Sequence, residues 1–161
     1  MSLQYIIDGY NVTHHPGFTR TAFKNLPDSR IALIQLIRTK KASFSPNNKF
    51  WVVFDGYPGD LSLESLDKGN IMVVFSRSES ADSRIKKLIE LIPNPKNVVV
   101  VSDDKEIKFF AKSCRARTES VEDFLSFQEK IARRVAQIPE AEISYTQMHE
   151  INEELKKIWL A

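Results

Sequence analysis

Four short apolar runs, Tyr5–Ile7, Phe50–Phe54, Ile71–Phe75 and Val98–Val101, each give way at once to Asp or Ser, and this repeated pattern constrains the fold more than any other feature of the chain. Runs of this length, rich in Val, Ile and aromatic residues, read as strands. Their unbroken apolarity, above all in Val98–Val101, is that of strands covered on both faces, as in a parallel sheet sandwiched by helices. Between the runs, Ile31, Ile34 and Ile37, and then Ile85, Leu88, Ile89 and Ile92, recur at three and four residues, the spacing of amphipathic helices. The predicted order is β-α-β-β-α-β-α. Ile107, Phe110, Ala111 and Cys114 then form another stripe, and Val121, Phe124, Leu125, Gln128, Ile131 and Val135 a longer one, with room for a short strand near Arg115–Thr118. After Pro139, Ser144 and Gln147 give a capping-box start to a last helix striped by Met148, Ile151, Leu155, Ile158 and Trp159. The expected organisation is one α/β domain over residues 1–138 and a C-terminal helix over 139–161 packed on it.

A chain of 161 residues, 42% of them hydrophobic, can bury the core of such a domain without staples. No apolar run approaches the roughly 20 residues of a membrane span, and the opening MSLQYIIDGY meets an acid before a secretory hydrophobic region can form. A soluble cytoplasmic protein with no membrane partner is expected. The single cysteine, Cys114, excludes an internal disulfide and reads as a small buried thiol. A net charge of +2 identifies no polyanionic partner, so the positions of the charges carry the functional argument.

In open α/β sheets functional groups gather at the carboxyl ends of the strands, where the loops converge on a crevice. The aspartates fall there. The first strand ends in Asp8, the second in Asp55 and the fourth in Ser102-Asp103-Asp104, while the helix after the third opens with Asp82. Carboxylates gathered on one rim repel one another, which favours a proton on one of them or a bound cation. Oxygen donors without His or Cys partners suit Mg²⁺ or Mn²⁺. Each acid also has a plainer reading. Asp8 and Asp55 precede Gly, as turn residues do; Asp82 occupies a helix first turn, where the dipole favours a carboxylate; Asp103 and Glu106 match a capping box. Asn11 either supports a metal-bound water or phosphate oxygen or bonds to loop backbone. Between neighbours, Asp103 is expected at the crevice and Asp104 at the start of the following helix.

Other chemistries lack their parts. Neither G-x-G-x-x-G nor G-x-x-x-x-G-K-[ST] nor G-x-S-x-G occurs. The adjacent His14 and His15 are poorly placed to share one metal and read as a solvated loop. A phosphoryl-aspartate receiver or phosphatase also places an Asp after its first strand, but Gly9 and Tyr10 follow Asp8 without the second carboxylate that such phosphatases use. Lys105, Lys108, Lys112, Arg115 and Arg117 stand against the single acid Glu106 just after the acidic strand end, a candidate phosphate track that Arg84, Lys86 and Lys87 extend, although such a helix face is often merely solvated. Tyr10 or Tyr57 could stack an unpaired base.

The segments YIIDGYNV, VVFDGYP, ESADSRIKKLIE and VVVVSDD, in this order and spacing, resemble the YacP-like branch of the NYN domains, relatives of the PIN nucleases. The resemblance spans about residues 4 to 135. It implies a PIN-like fold, a bacterial origin and metal-dependent endoribonuclease activity, with Asp8, Asp82 and Asp103 as principal acids, Asn11 in support and a less defined part for Asp55. Asp104 beside Asp103, and the tail, depart from the pattern. The expected mechanism is that the acids bind one or two Mg²⁺ or Mn²⁺ ions that activate a water for in-line attack on a phosphodiester of single-stranded RNA, held by the basic residues. The rival is a catalytically silent RNA-binding or adaptor module of the same fold; loss of the acids would favour it, and all are present.

Overall fold

The computed structural model describes residues 2–20, 28–41, 44–60 and 69–126. The helix expected over 139–161, and the end of the stripe running from Val121 to Val135, lie outside the described residues. The elements are β1 (Gln4–Asp8), α1 (Gly9–Thr13), a 3₁₀ turn (Pro16–Arg20), α2 (Ser29–Lys41), β2 (Lys49–Phe54), β3 (Ile71–Phe75), α3 (Ala81–Leu91), a 3₁₀ turn (Pro95–Asn97), β4 (Val98–Val101), α4 (Lys105–Ser113) and β5 (Arg117–Glu119), followed by helical residues 121–126.

All strand pairs are parallel, in the order β3-β2-β1-β4-β5. The alternation of side chains across each strand divides the core in two. Tyr5, Ile7, Phe50, Val52, Phe54, Val99 and Val101 meet Leu33, Ile34, Leu36 and Ile37 of α2 and Val121, Phe124 and Leu125. Ile6, Val53, Val98 and Val100 meet Ile85, Leu88 and Ile89 of α3 and Ile107 and Ala111 of α4. Helices thus cover both faces, the physical reason for the unbroken apolar strands. The fully buried Lys40 donates to the Phe124 carbonyl and sets its ammonium 4.0 Å from the centre of the Phe124 ring, tying α2 to residues 121–126. Among the described residues no helix is long and apolar enough to cross a membrane.

The chain proceeds from central β1 outward through β2 to β3, then returns through α3 to β4 on the other side of β1. The direction of winding reverses between β1 and β4, and at such a switch point the carboxyl ends of the strands open into a crevice. Helix α1 was not expected: Asp8 and Gly9 read as a turn, but Asp8 takes the N-cap position and the chain enters a five-residue helix directly. Gly9 permits this, because a Cβ there would lie 2.4 Å from the Phe54 ring and 2.9 Å from the Val53 carbonyl oxygen. Gly9→Ala is therefore expected to lower stability by about 1–3 kcal/mol through overpacking, despite the alanine's smaller unfolded-state entropy. A thermal melt checks it; an unchanged melting temperature would mean that the β1–α1 junction is slack.

Candidate active site at the switch point

Asp8, Asp82, Asp103 and Asp104 line one cleft of about 470 Å³, together with Tyr10, Asn11, His14, His15 and Pro16. Each arrives by a local rule. Asp8 follows Ile6 by two residues and so faces the same side of the sheet, toward α3 and α4. Ser102, fully buried, stands likewise after Val100; its hydroxyl donates to Asp8 Oδ2 at 3.2 Å and accepts the Asp104 N–H at 3.1 Å, clasping the ends of β1 and β4. Asp82 sits in the first turn of α3, a helix capped by Ser80, which accepts from the Ser83 N–H.

Burial raises the Asp8 carboxyl from 3.8 to about 6; Asp82 and Asp104 push in the same direction, against the Ser102 hydroxyl and the Asn11 backbone N–H. Asp82 is also raised, by burial first and then by Asp104, with Glu106 and Asp55 adding to the effect and Lys86 opposing it. The acids are thus close enough to disturb one another, as the sequence implies for carboxylates on one rim.

Their finer grouping differs from the one expected. Asp82, Asp104 and Glu106 each bring a carboxylate oxygen within 4.8 Å of the others. Three hard oxygen donors at that spacing fit a divalent cation such as Mg²⁺ or Mn²⁺. Asp104 also caps α4, accepting the Glu106 and Ile107 N–H groups at 2.9 and 3.1 Å, so the capping box between Asp103 and Glu106 does not form. Capping and membership of the acidic group are compatible for Asp104, because Oδ1 receives both N–H groups. Asp103, on the same cleft, accepts the Val121 N–H at 3.0 Å and faces Lys108 at 3.8 Å. Asn11 proves to be a tie between segments: its side-chain oxygen accepts the Asp103 N–H at 2.8 Å.

Asp55 lies outside the cleft lining. Its Oδ1 accepts from the Ser76 hydroxyl and the Ala81 N–H, both at 3.1 Å, and so holds the start of α3 that carries Asp82. Gly56 beyond it has φ +87, in keeping with the turn reading of Asp55-Gly56.

The basic run divides. Lys105 opens α4 at the rim and Lys108 faces Asp103, whereas α4 leads Lys112 and Arg115 away, and Arg117 lies level with Val99, at the far end of its strand. Arg84 is drawn to Glu79 at 3.6 Å, and Lys86 to Glu106 at 3.4 Å. Tyr10 lines the cleft with its ring stacked on His14, and Tyr57 is 62% exposed beyond β2.

His15 corrects the reading of His14-His15 as a solvated loop. Its ring is partly buried, its Nδ1 accepts the Gly17 N–H at 2.9 Å, and its Nε2 faces the cleft 3.6 Å from Glu122 and 3.9 Å from Asp103. Glu122 and Ser102 were not singled out either; a glycine two residues after His15 was the one local signal of a histidine-backbone turn.

A model of the YacP-like NYN domain matches residues 5–160. The chain belongs to the YacP-like NYN domain family. This family is a branch of the PIN-like nucleases, and its parallel sheet flanked by helices is the architecture found here. Two crystal structures of Rae1 (YacP) from Bacillus subtilis share the fold: one, of a point mutant, at TM-score 0.61 and 24% identity over 97% of this chain and 91% of that one; the other at 0.58 and 24% over 99% and 93%. No curated protein matches by sequence. Asp8, Asp82 and Asp103, the acids expected from the resemblance, all border one cleft.

Proposed function

We propose that the chain is a divalent-metal-dependent endoribonuclease that cleaves single-stranded RNA in the bacterial cytoplasm. The observation that carries the reading is the arrival of four aspartates, from β1, α3 and the β4–α4 junction, in one open cleft at the switch point of a PIN-like sheet. Asp8, Asp82 and Asp104 would hold the cation, with Glu106 beside Asp82 and Asp104 and with Asp103 lining the same cleft; Asp55 fixes the position of Asp82 through α3. A bound Mg²⁺ or Mn²⁺ supplies a Lewis acid that polarises the phosphodiester and readies a water for in-line attack. Lys108 and Lys105 draw the phosphates to the acidic rim, Arg84 borders it, and Lys112, Arg115 and Arg117 extend attraction away from it. Tyr10 offers a face to an unpaired base.

The test is incubation of the purified protein with end-labelled single-stranded RNA in Mn²⁺, in Mg²⁺ and in chelator. Internal cleavage that requires metal is expected. RNA that is bound but left intact under all three conditions would favour the silent adaptor.

A further inference from the structure

A phosphodiester entering a cleft walled by four aspartates needs hydrogen-bond donors as well as a cation, and one donor there is built into the chain. Val12 accepts the His15 N–H at 3.1 Å and the His15 carbonyl accepts the Phe18 N–H at 2.9 Å, so the backbone on both sides of this residue is fixed. The Gly17 N–H points at Nδ1 from 2.9 Å, which makes that nitrogen an acceptor and leaves the proton of the neutral ring on Nε2. Gly17 allows so close an approach: a Cβ there would stand 3.0 Å from Nδ1 and 3.2 Å from Leu125. Nε2 is thereby aimed into the cleft, yet its nearest carboxylate oxygens, on Glu122 and Asp103, are 3.6 and 3.9 Å away, beyond a hydrogen bond. A donor with its tautomer fixed, oriented from behind and bordered by space has the form of a ligand contact. Lys108 approaches Asp103 as well, at 3.8 Å, from beyond the cleft lining.

We propose that His15 donates its Nε2–H to a phosphate oxygen of the bound RNA strand and so orients the diester over the carboxylates. This rests on the nuclease reading for its substrate. It adds to that reading a residue from the α1 loop that contacts the substrate and binds no metal.

The experiment uses the full chain with His15→Ala, which removes the donor, and His15→Gln, whose side-chain amide nitrogen reaches a similar position. Single-turnover cleavage of labelled RNA, affinity for the same RNA in chelator, and the Mn²⁺-induced rise in melting temperature are read on each. His15→Ala is expected to cleave about 10- to 100-fold more slowly and to bind RNA more weakly, with His15→Gln recovering most of both and the Mn²⁺ shift unchanged in either. Cleavage and binding by His15→Ala equal to wild type would overturn the contact. So would a loss in His15→Gln as deep as in His15→Ala accompanied by a lost Mn²⁺ shift, since His15 would then serve only to hold the acids in place. Should the wild type leave RNA intact, the nuclease reading fails by itself; weaker binding by His15→Ala with recovery in His15→Gln would still support the phosphate contact, and equal binding by all three would refute it.

Discussion

Replacing Asp8 by asparagine is expected to abolish metal-dependent RNA cleavage and at the same time to make the metal-free protein more stable at neutral pH. Both effects come from one charge. Substitutions behind a metal ligand commonly cost 10- to 100-fold in activity, so loss of a ligand itself should cost more than about 100-fold. The stability effect follows from burial. The folded-state value for Asp8 is about 6 against an ordinary 3.8, so the folded protein holds the proton more tightly than the unfolded chain. Stability from this group is then fully present below about pH 4 and is lost as pH rises through 6, by on the order of 3 kcal/mol. Asparagine keeps the shape and the acceptor for the Ser102 hydroxyl but cannot ionise. Melting curves from pH 4 to 7 in chelator should show the wild type losing stability relative to Asp8→Asn across that interval. Parallel curves would place Asp8 in a more solvated setting than its 8% exposure indicates. Because protons and cation compete for the same oxygen atoms, metal affinity should also weaken as pH falls below about 6.

The second large effect separates two neighbours. Asp103→Asn is expected to reduce cleavage by about 10- to 100-fold even at saturating metal, since it removes a charge that lines the cleft while the amide oxygen can still accept the Val121 N–H. Asp104→Asn should act through the metal requirement instead. Asparagine caps helices as well as aspartate, so stability should change by less than about 1 kcal/mol. The lost charge beside Asp82 and Glu106 should raise the metal concentration for half-maximal cleavage by about 10-fold. Cleavage rates titrated with Mn²⁺, read beside metal-free melting temperatures, decide between the two residues. An inactive Asp104→Asn at saturating metal, beside an active Asp103→Asn, would exchange their roles.

The sheet and its helices were legible because buried parallel strands have to be apolar throughout and their covering helices have to be striped. The short strand near Arg115–Thr118 was visible as well, overlapping the observed Arg117–Glu119. That Asp8, Asp103 and Asp104 would meet at one rim followed from the strand ends; Asp82 joins them from the first turn of α3, and Asp55, also at a strand end, stays outside the cleft lining. The contents of the rim were less accessible, because side-chain direction depends on tertiary contacts. Asn11 could have been a ligand or a tie until its oxygen was found on the Asp103 N–H. Glu106 read as a capping partner, but Asp104 takes the cap and leaves Glu106 facing Asp82. Five bases close in sequence suggested a track, yet α4 carries the chain from one end of the sheet toward the other and disperses them. Helix α1 was hidden by its length, too short for any periodic stripe.

The most direct measurement of the central claim, that these carboxylates form one cation site, is the melting temperature in chelator and in rising Mn²⁺ for the wild type, Asp8→Asn and Asp82→Asn. A ligand present at 100 times its Kd stabilises the native state by about 2.7 kcal/mol, or roughly 5–10 °C for a chain of this size. The wild type should rise by that amount at saturating Mn²⁺, and both variants by much less at the same concentration. A wild-type melting temperature indifferent to millimolar Mn²⁺, or a rise of equal size in all three proteins, would contradict it.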